Sequence, residues 1–219
     1  MNVPTYISLA QMEQLTESIC HDYGFDPYDK FVRPVPVEEI VEFHFDLQIC
    51  WEPIDHFDLG GIVMAAILPD EKQIILNESQ RELFESKIGT YRFTLAHELG
   101  HWVLHAGNSS YFLRSGERSP YICRSDVKKP PEEIQADRFA GCLLMPRPII
   151  ELAVKQLSKL GTIHLSHLYG LADTLGVSIS ALQVRLSQLK LLNIGQDGSV
   201  LRPAAGNSAI GYEQLSFNL

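Results

Sequence analysis

The residues best suited to chemistry form the run His97-Glu98-Leu99-Gly100-His101. In a helix, positions four apart are separated by about 40° around the axis and about 6 Å along it, so both imidazoles can bind one metal ion. Glu98 lies beside the same face, where its carboxylate can accept a proton from metal-bound water. The run predicts two zinc ligands, His97 and His101, and a general base, Glu98.

A third ligand is expected because a catalytic zinc ion takes three protein ligands and keeps a fourth position open. Glu133 and Asp137 are four residues apart and share one face of a second predicted helix. We expect Glu133 to bind the metal ion and Asp137 to accept an N–H from a ligand histidine, which fixes the tautomer of that histidine. The alternative is an acidic helix N-terminus without further function, which explains Glu132 but not Asp137.

His105 continues the four-residue spacing, which suggests a further ligand. On a continuous helix, however, it would lie about 6 Å beyond His101, too far for a zinc–nitrogen bond of about 2.0 Å. We therefore interpret His105 as a packed or hydrogen-bonded histidine near the helix end.

Two stretches of the chain resemble the ImmA/IrrE family of metallopeptidases in order and spacing. They are RFTLAHELGHWVLH, from Arg92 to His105, and ExxADxFAxxLLMP, from Glu133 to Pro146. The resemblance implies a thermolysin-like zinc fold in which His97, His101 and Glu133 hold Zn²⁺ and Glu98 is the catalytic base. It also implies a protein substrate, a helix-turn-helix repressor or an antitoxin-like regulator.

The sequence patterns around these residues predict an α+β fold that is mostly helical and has a small antiparallel sheet. Helical spacing predicts the metal-binding helix over 90–106 and a second helix over 131–146. Three apolar runs predict strands over 47–51, 61–68 and 73–76. The polar stretch 107–130 predicts a long loop, from which Tyr111 or Tyr121 is a candidate to stabilise the oxyanion.

The last third predicts a helix-turn-helix. Helices are expected over 148–160, 165–175 and 178–191, with Gly176 in the turn and Ser178 as an N-cap. A hairpin around 196–198 would form a wing. The candidate contacts to a DNA groove are Ser180, Gln183 and Arg185.

These patterns divide the chain into a peptidase-like domain (1–147), a helix-turn-helix-like subdomain (148–203) and a tail (204–219). The net charge is −9, but residues 1–90 carry 17 acids and 5 bases, whereas 151–202 carry 3 acids and 5 bases. A net charge of +2 is small for a protein that must neutralise several phosphates. DNA is therefore a partner that the sequence allows without favouring.

The cellular compartment follows from what the sequence lacks. The N-terminus has no basic region followed by an apolar stretch, and the longest apolar run, Ile62–Leu68, is too short to span a membrane. The cysteines, at positions 20, 50, 123 and 142, form no CxxC pair. We expect a cytoplasmic protein with reduced thiols and no membrane partner.

Two functions are consistent with these observations. The first is a zinc-dependent endopeptidase acting on a protein substrate. The alternative is a transcriptional regulator that binds DNA or a protein through its C-terminal helices, with a structural or vestigial metal site. The complete ligand set favours the first, because a vestigial site would be expected to lose Glu98 before its ligands.

Overall fold

A computed structural model describes residues 7–57, 61–105, 130–195 and 198–202 and has an α+β fold, as predicted. The helices are α1 (Leu9–Tyr23), α2 (Val37–Glu39, continued by a π-helical turn over Ile40–His44), α3 (Arg81–Ser86), α4 (Ile88–His105), α5 (Pro131–Leu144), α6 (Arg147–Lys159), α7 (Leu165–Leu175) and α8 (Ile179–Gln188). The strands are β1 (Gln48–Glu52), β2 (Ala65–Leu68), β3 (Gln73–Asn77), β4 (Asn193–Ile194) and β5 (Val200–Leu201).

The first three strands form a mixed sheet in the order β1-β3-β2. The hairpin of β2 and β3 is antiparallel, with Ala65 opposite Leu76, as predicted. The prediction was wrong for β1, which runs parallel to β3, with Gln48 opposite Gln73. The reason is that β3 inserts between the other two strands, and the alternation of side chains within a strand carries no information about which strand becomes central.

Both faces of β2 and β3 are buried, which explains the apolar runs Ala65–Leu68 and Ile74–Leu76 in these two strands. One face contributes Ala65, Ile67, Ile74 and Leu76 to the main core, and the other contributes Ala66 and Ile75 to a second cluster. The main-core face lies against α4. The sheet therefore supports the helix that carries the predicted metal ligands.

The helices α4 and α5 are the centre of the molecule and approach each other closely at Gly100. A Cβ atom at that position would lie 3.1 Å from Phe139 Cδ1 and 3.2 Å from Ala136 Cα. Glycine in a helix costs about 1 kcal/mol relative to alanine, so the close approach explains its presence. The absence of a side chain brings the first half of α5 next to the histidines of α4.

The C-terminal helices follow the prediction closely. Gly176 ends α7 in the left-handed conformation with φ 63°, and the Ser178 side chain accepts a hydrogen bond from the N–H of Ala181 at the start of α8. The turn between them packs on α4, because a Cβ on Gly89 would lie 2.5 Å from the Ser178 nitrogen. The main core continues from α4 and α5 into α7 and α8.

The structure shows that the predicted surface position of Arg185 is wrong. It was expected to be exposed on α8, but it is 1% exposed. Its Nε donates to the carbonyl of Met145 at 2.9 Å, and its guanidinium forms an ion pair with Glu13 of α1, also at 2.9 Å. Helical spacing alone does not identify Glu13 as the partner of Arg185, and it therefore predicts an exposed Arg185.

The remaining predictions concern the chain ends and the loop. The strands β4 and β5 form the predicted hairpin, with Asn193 opposite Leu201. The predicted loop 107–130, with Tyr111 and Tyr121, lies outside the described residues except for Pro130, as does the predicted tail. In the part of the chain that the structure describes, no helix is long and apolar enough to cross a membrane.

Candidate metal centre

His97, His101 and Glu133 come together between α4 and α5, as the sequence predicted. The Nε2 atoms of the two histidines are 3.1 Å apart. The carboxylate of Glu133 faces both rings, with Oε2 3.3 Å from His97 Nε2 and Oε1 3.3 Å from His101 Nε2. All three side chains are buried, so the cluster is an enclosed set of atoms that could hold a metal ion.

The separations in this cluster match those around a tetrahedral zinc ion. Zinc bonds of about 2.0 to 2.1 Å place neighbouring ligand atoms about 3.3 Å apart. The two Nε2 atoms are 3.1 Å apart, and each lies 3.3 Å from a different oxygen of Glu133. Two imidazoles and one carboxylate are also the donor set of many catalytic zinc sites. The residues present therefore fit Zn²⁺.

Asp137 lies one turn after Glu133 and reaches the other side of the His97 ring. Its Oδ1 is 3.1 Å from His97 Nδ1. A carboxylate at this nitrogen favours the tautomer with the proton on Nδ1, which leaves the lone pair of Nε2 directed at the cluster. The structure thus places Asp137 where the sequence predicted it.

The carboxylates determine the charge of the cluster. Burial lowers the pKa of His97, but its hydrogen bonds with Asp137 and Glu133 outweigh burial and raise the pKa well above its ordinary value. Burial raises the pKa of Glu133, but the two histidines outweigh it and lower that pKa overall. Burial lowers the pKa of His101 to about 4. Two carboxylates that stabilise a proton on His97 also stabilise a metal cation beside it.

Glu98 lies outside the three-residue cluster and is 3% exposed. Its carboxylate accepts a hydrogen bond from the backbone N–H of Ile67 in β2. Its Oε2 has no hydrogen-bond partner in the described residues. The pKa of Glu98 is raised to about 8, and burial is the largest cause. The attraction of His97 opposes this rise, and the repulsion of Glu133 adds to it. A general base works best with a pKa near the working pH, so Glu98 is suited to moving a proton.

Two features of the site were not predicted from the sequence. Gly100 allows the close approach of α4 and α5, and its signal was a glycine inside a strongly helical pattern. Ile67 holds the carboxylate of Glu98 through its backbone N–H, a contact that no side-chain pattern reports. The oxyanion candidates Tyr111 and Tyr121 lie outside the described residues.

An α+β fold that joins two histidines of one helix to a glutamate of the next defines a metallopeptidase-like domain. The chain belongs to the peptidase M78 family, described as the IrrE N-terminal-like domain, which matches residues 44–187. This region contains the whole candidate metal centre and extends into α8. The family membership confirms the resemblance drawn from the two sequence stretches.

The fold is also similar to that of a solved Mycobacterium tuberculosis transcriptional regulator. The TM-score is 0.50 and the sequence identity 16%, over 90% of this chain and 55% of that one. The present chain thus spans about half the length of that protein, and at this identity the likeness concerns the fold. A comparison with curated proteins gives no match.

Proposed function

We propose that this chain is a zinc-dependent endopeptidase. The observation that carries the proposal is the buried cluster of His97, His101 and Glu133, whose separations fit a tetrahedral zinc ion. Membership of the peptidase M78 family supports the same conclusion. Glu98 adds a carboxylate of raised pKa beside the ligands, which a purely structural zinc site does not need.

The proposed roles follow from the contacts of each side chain. His97, His101 and Glu133 would hold the zinc ion, which would polarise a scissile carbonyl and make water more acidic. Glu98 accepts the proton of the attacking water and passes it to the leaving amine. Asp137 keeps His97 in the tautomer that presents Nε2 to the cluster. The hydrogen bond from Ile67 holds the Glu98 carboxylate against the sheet.

The proposed substrate is a helix-turn-helix repressor or an antitoxin-like regulator, as the family resemblance implies, and the proposed location is the cytoplasm. The charge of the chain is compatible with such a partner. Residues 1–90 carry a net charge of −12, from 17 acids and 5 bases. Proteins that bind DNA carry clustered lysines and arginines, so an acidic segment of this kind attracts them.

The test is cleavage of helix-turn-helix regulators encoded beside this chain's gene, by the purified protein and by Glu98→Gln. We expect the wild-type protein to cut one such regulator and the variant to bind zinc but lose cleavage by at least about 100-fold. The matched control is Glu85→Gln, which changes an exposed glutamate of α3 in the same way. Full cleavage by Glu98→Gln would disprove the assigned role of Glu98.

A second candidate function is binding of DNA through the C-terminal helices. It is favoured by the arrangement of α7, α8 and the following hairpin, and by the fold similarity to a transcriptional regulator. Against it, Arg185 is the one basic residue of α8, and it is buried in an ion pair. Phosphate contacts need exposed cations, which this helix does not offer.

A gel-shift assay at physiological salt, with and without EDTA, separates the two functions. Sequence-specific binding that persists in EDTA would support the regulator. The endopeptidase predicts no sequence-specific shift under either condition.

A further inference from the structure

His105, the last residue of α4, is buried although it does not belong to the metal-binding cluster. It is 7% exposed, and its ring centroid is 5.5 Å from that of His101. Its side chain donates a hydrogen bond to the backbone carbonyl of Glu132 in α5. Since Nε2 has no hydrogen-bond partner in the described part of the chain, the donor is Nδ1–H.

This hydrogen bond ends on the peptide group that leads into Glu133. The carbonyl of Glu132 and the backbone nitrogen of Glu133 belong to the same planar unit, so fixing one orients the other. The N-cap residue of α5, Pro130, makes no side-chain capping hydrogen bond to this turn. His105 therefore connects the end of α4 to the turn that carries the third ligand.

The connection matters because the cluster tolerates little displacement. Glu133 must keep its carboxylate close to both rings, with Oε2 3.3 Å from His97 Nε2 and Oε1 3.3 Å from His101 Nε2, for the separations to suit zinc. Glu133 belongs to a different helix from the histidines, and 24 residues outside the described part of the chain, 106–129, separate the two helices in sequence. The hydrogen bond of His105 is a direct link between the last turn of α4 and the first turn of α5.

We propose that His105 is a positioning residue for the metal centre, which holds Glu133 in register with His97 and His101 through its hydrogen bond to the Glu132 carbonyl. The inference rests on the proposed zinc site. It assigns no metal bond to His105. Hydrogen bonds that orient ligands in this way typically change metal affinity by about 10- to 100-fold when they are removed.

The test compares His105→Asn with His105→Leu in the full chain. The two side chains have similar volumes, but only the Asn amide can donate from a position near that of Nδ1. Each protein is stripped with EDTA, and Zn²⁺ is titrated against a chromophoric chelator. We expect His105→Leu to weaken zinc affinity by about 10- to 100-fold and His105→Asn to restore it to within about 3-fold of the wild type.

The control is His21→Asn, which changes an exposed histidine at the end of α1 and should leave zinc affinity unchanged. Equal affinities of wild type and His105→Leu, or equal losses in Leu and Asn variants, would overturn the inference while leaving the zinc site intact. A wild-type protein that binds no zinc would instead refute the proposed function. If His105→Leu fails to fold, judged by circular dichroism, His105→Phe keeps a ring without the donor and takes its place.

Discussion

Gly89 provides a direct test of how the C-terminal helices pack against α4. It lies in the first turn of α4, and a Cβ atom there would be 2.5 Å from the Ser178 nitrogen and 2.6 Å from the Val177 carbonyl carbon. Both are backbone atoms of the turn between α7 and α8, so no side-chain rotation relieves the contact. We predict that Gly89→Ala destabilises the fold.

The magnitude follows from two opposing effects. Replacing glycine by alanine in a helix stabilises it by up to about 1 kcal/mol. Forcing an extra methyl group into a packed interface costs about 1 to 3 kcal/mol, and a clash with backbone belongs at the upper end of that range. The expected net loss is about 2 kcal/mol. For a chain of this size that corresponds to a fall in Tm of about 4 to 8 °C.

The assay is thermal and urea unfolding of EDTA-treated protein, because bound metal would add its own stabilisation. The matched control is Gly170→Ala in α7, where a Cβ would meet no atom within 4 Å. That variant should be more stable than wild type by about 0.5 to 1 kcal/mol. If Gly89→Ala is as stable as the wild type, the turn does not rest on α4 and the described packing is wrong.

Three further predictions concern separate features. Asp137→Ala should weaken zinc binding by about 10- to 100-fold, because His97 loses the carboxylate at Nδ1. Chelator competition measures the affinity, and an unchanged value would contradict the proposed role of Asp137. Arg185→Met should destabilise the protein by about 1 to 3 kcal/mol in urea unfolding. The loss should stay within this range because Glu13 keeps its ion pair with Arg147 at 2.9 Å. A variant as stable as the wild type would argue against the buried pair of Arg185 and Glu13. Burial raises the pKa of Cys20 to about 12 and that of Cys142 to about 11. Both thiols should therefore remain neutral at pH 8, and iodoacetamide should not alkylate them in the folded protein. Cys50 is half-buried and should react first among these three cysteines. Peptide mass spectrometry resolves the three sites, and rapid labelling of Cys142 would refute its burial.

The sequence was sufficient to predict that His97, His101 and Glu133 cluster because helical geometry converts spacing into position. Residues four apart on one helix must share a face, which places His97 beside His101 and Glu133 beside Asp137. The order of the two motifs then suggested that the two faces meet. The contact of 3.1 Å between His97 and Asp137 agrees with this reasoning.

The sequence was insufficient where the outcome depended on contacts between distant segments. The parallel pairing of β1 arises from the placement of β3 between two strands, which alternation does not encode. The burial of Arg185 depends on Glu13, a residue of the first helix. Both are tertiary effects, and neither leaves a local pattern in the chain.

The most direct test of the central claim is the zinc content of the purified protein, measured by elemental analysis after mild dialysis, beside His97→Ala and Glu133→Ala. The wild type should hold about one zinc ion per chain, and both variants should lose it, because each removes one of three ligands. A wild-type protein without zinc, or variants that retain it fully, would contradict the three-ligand site on which the proposed peptidase depends.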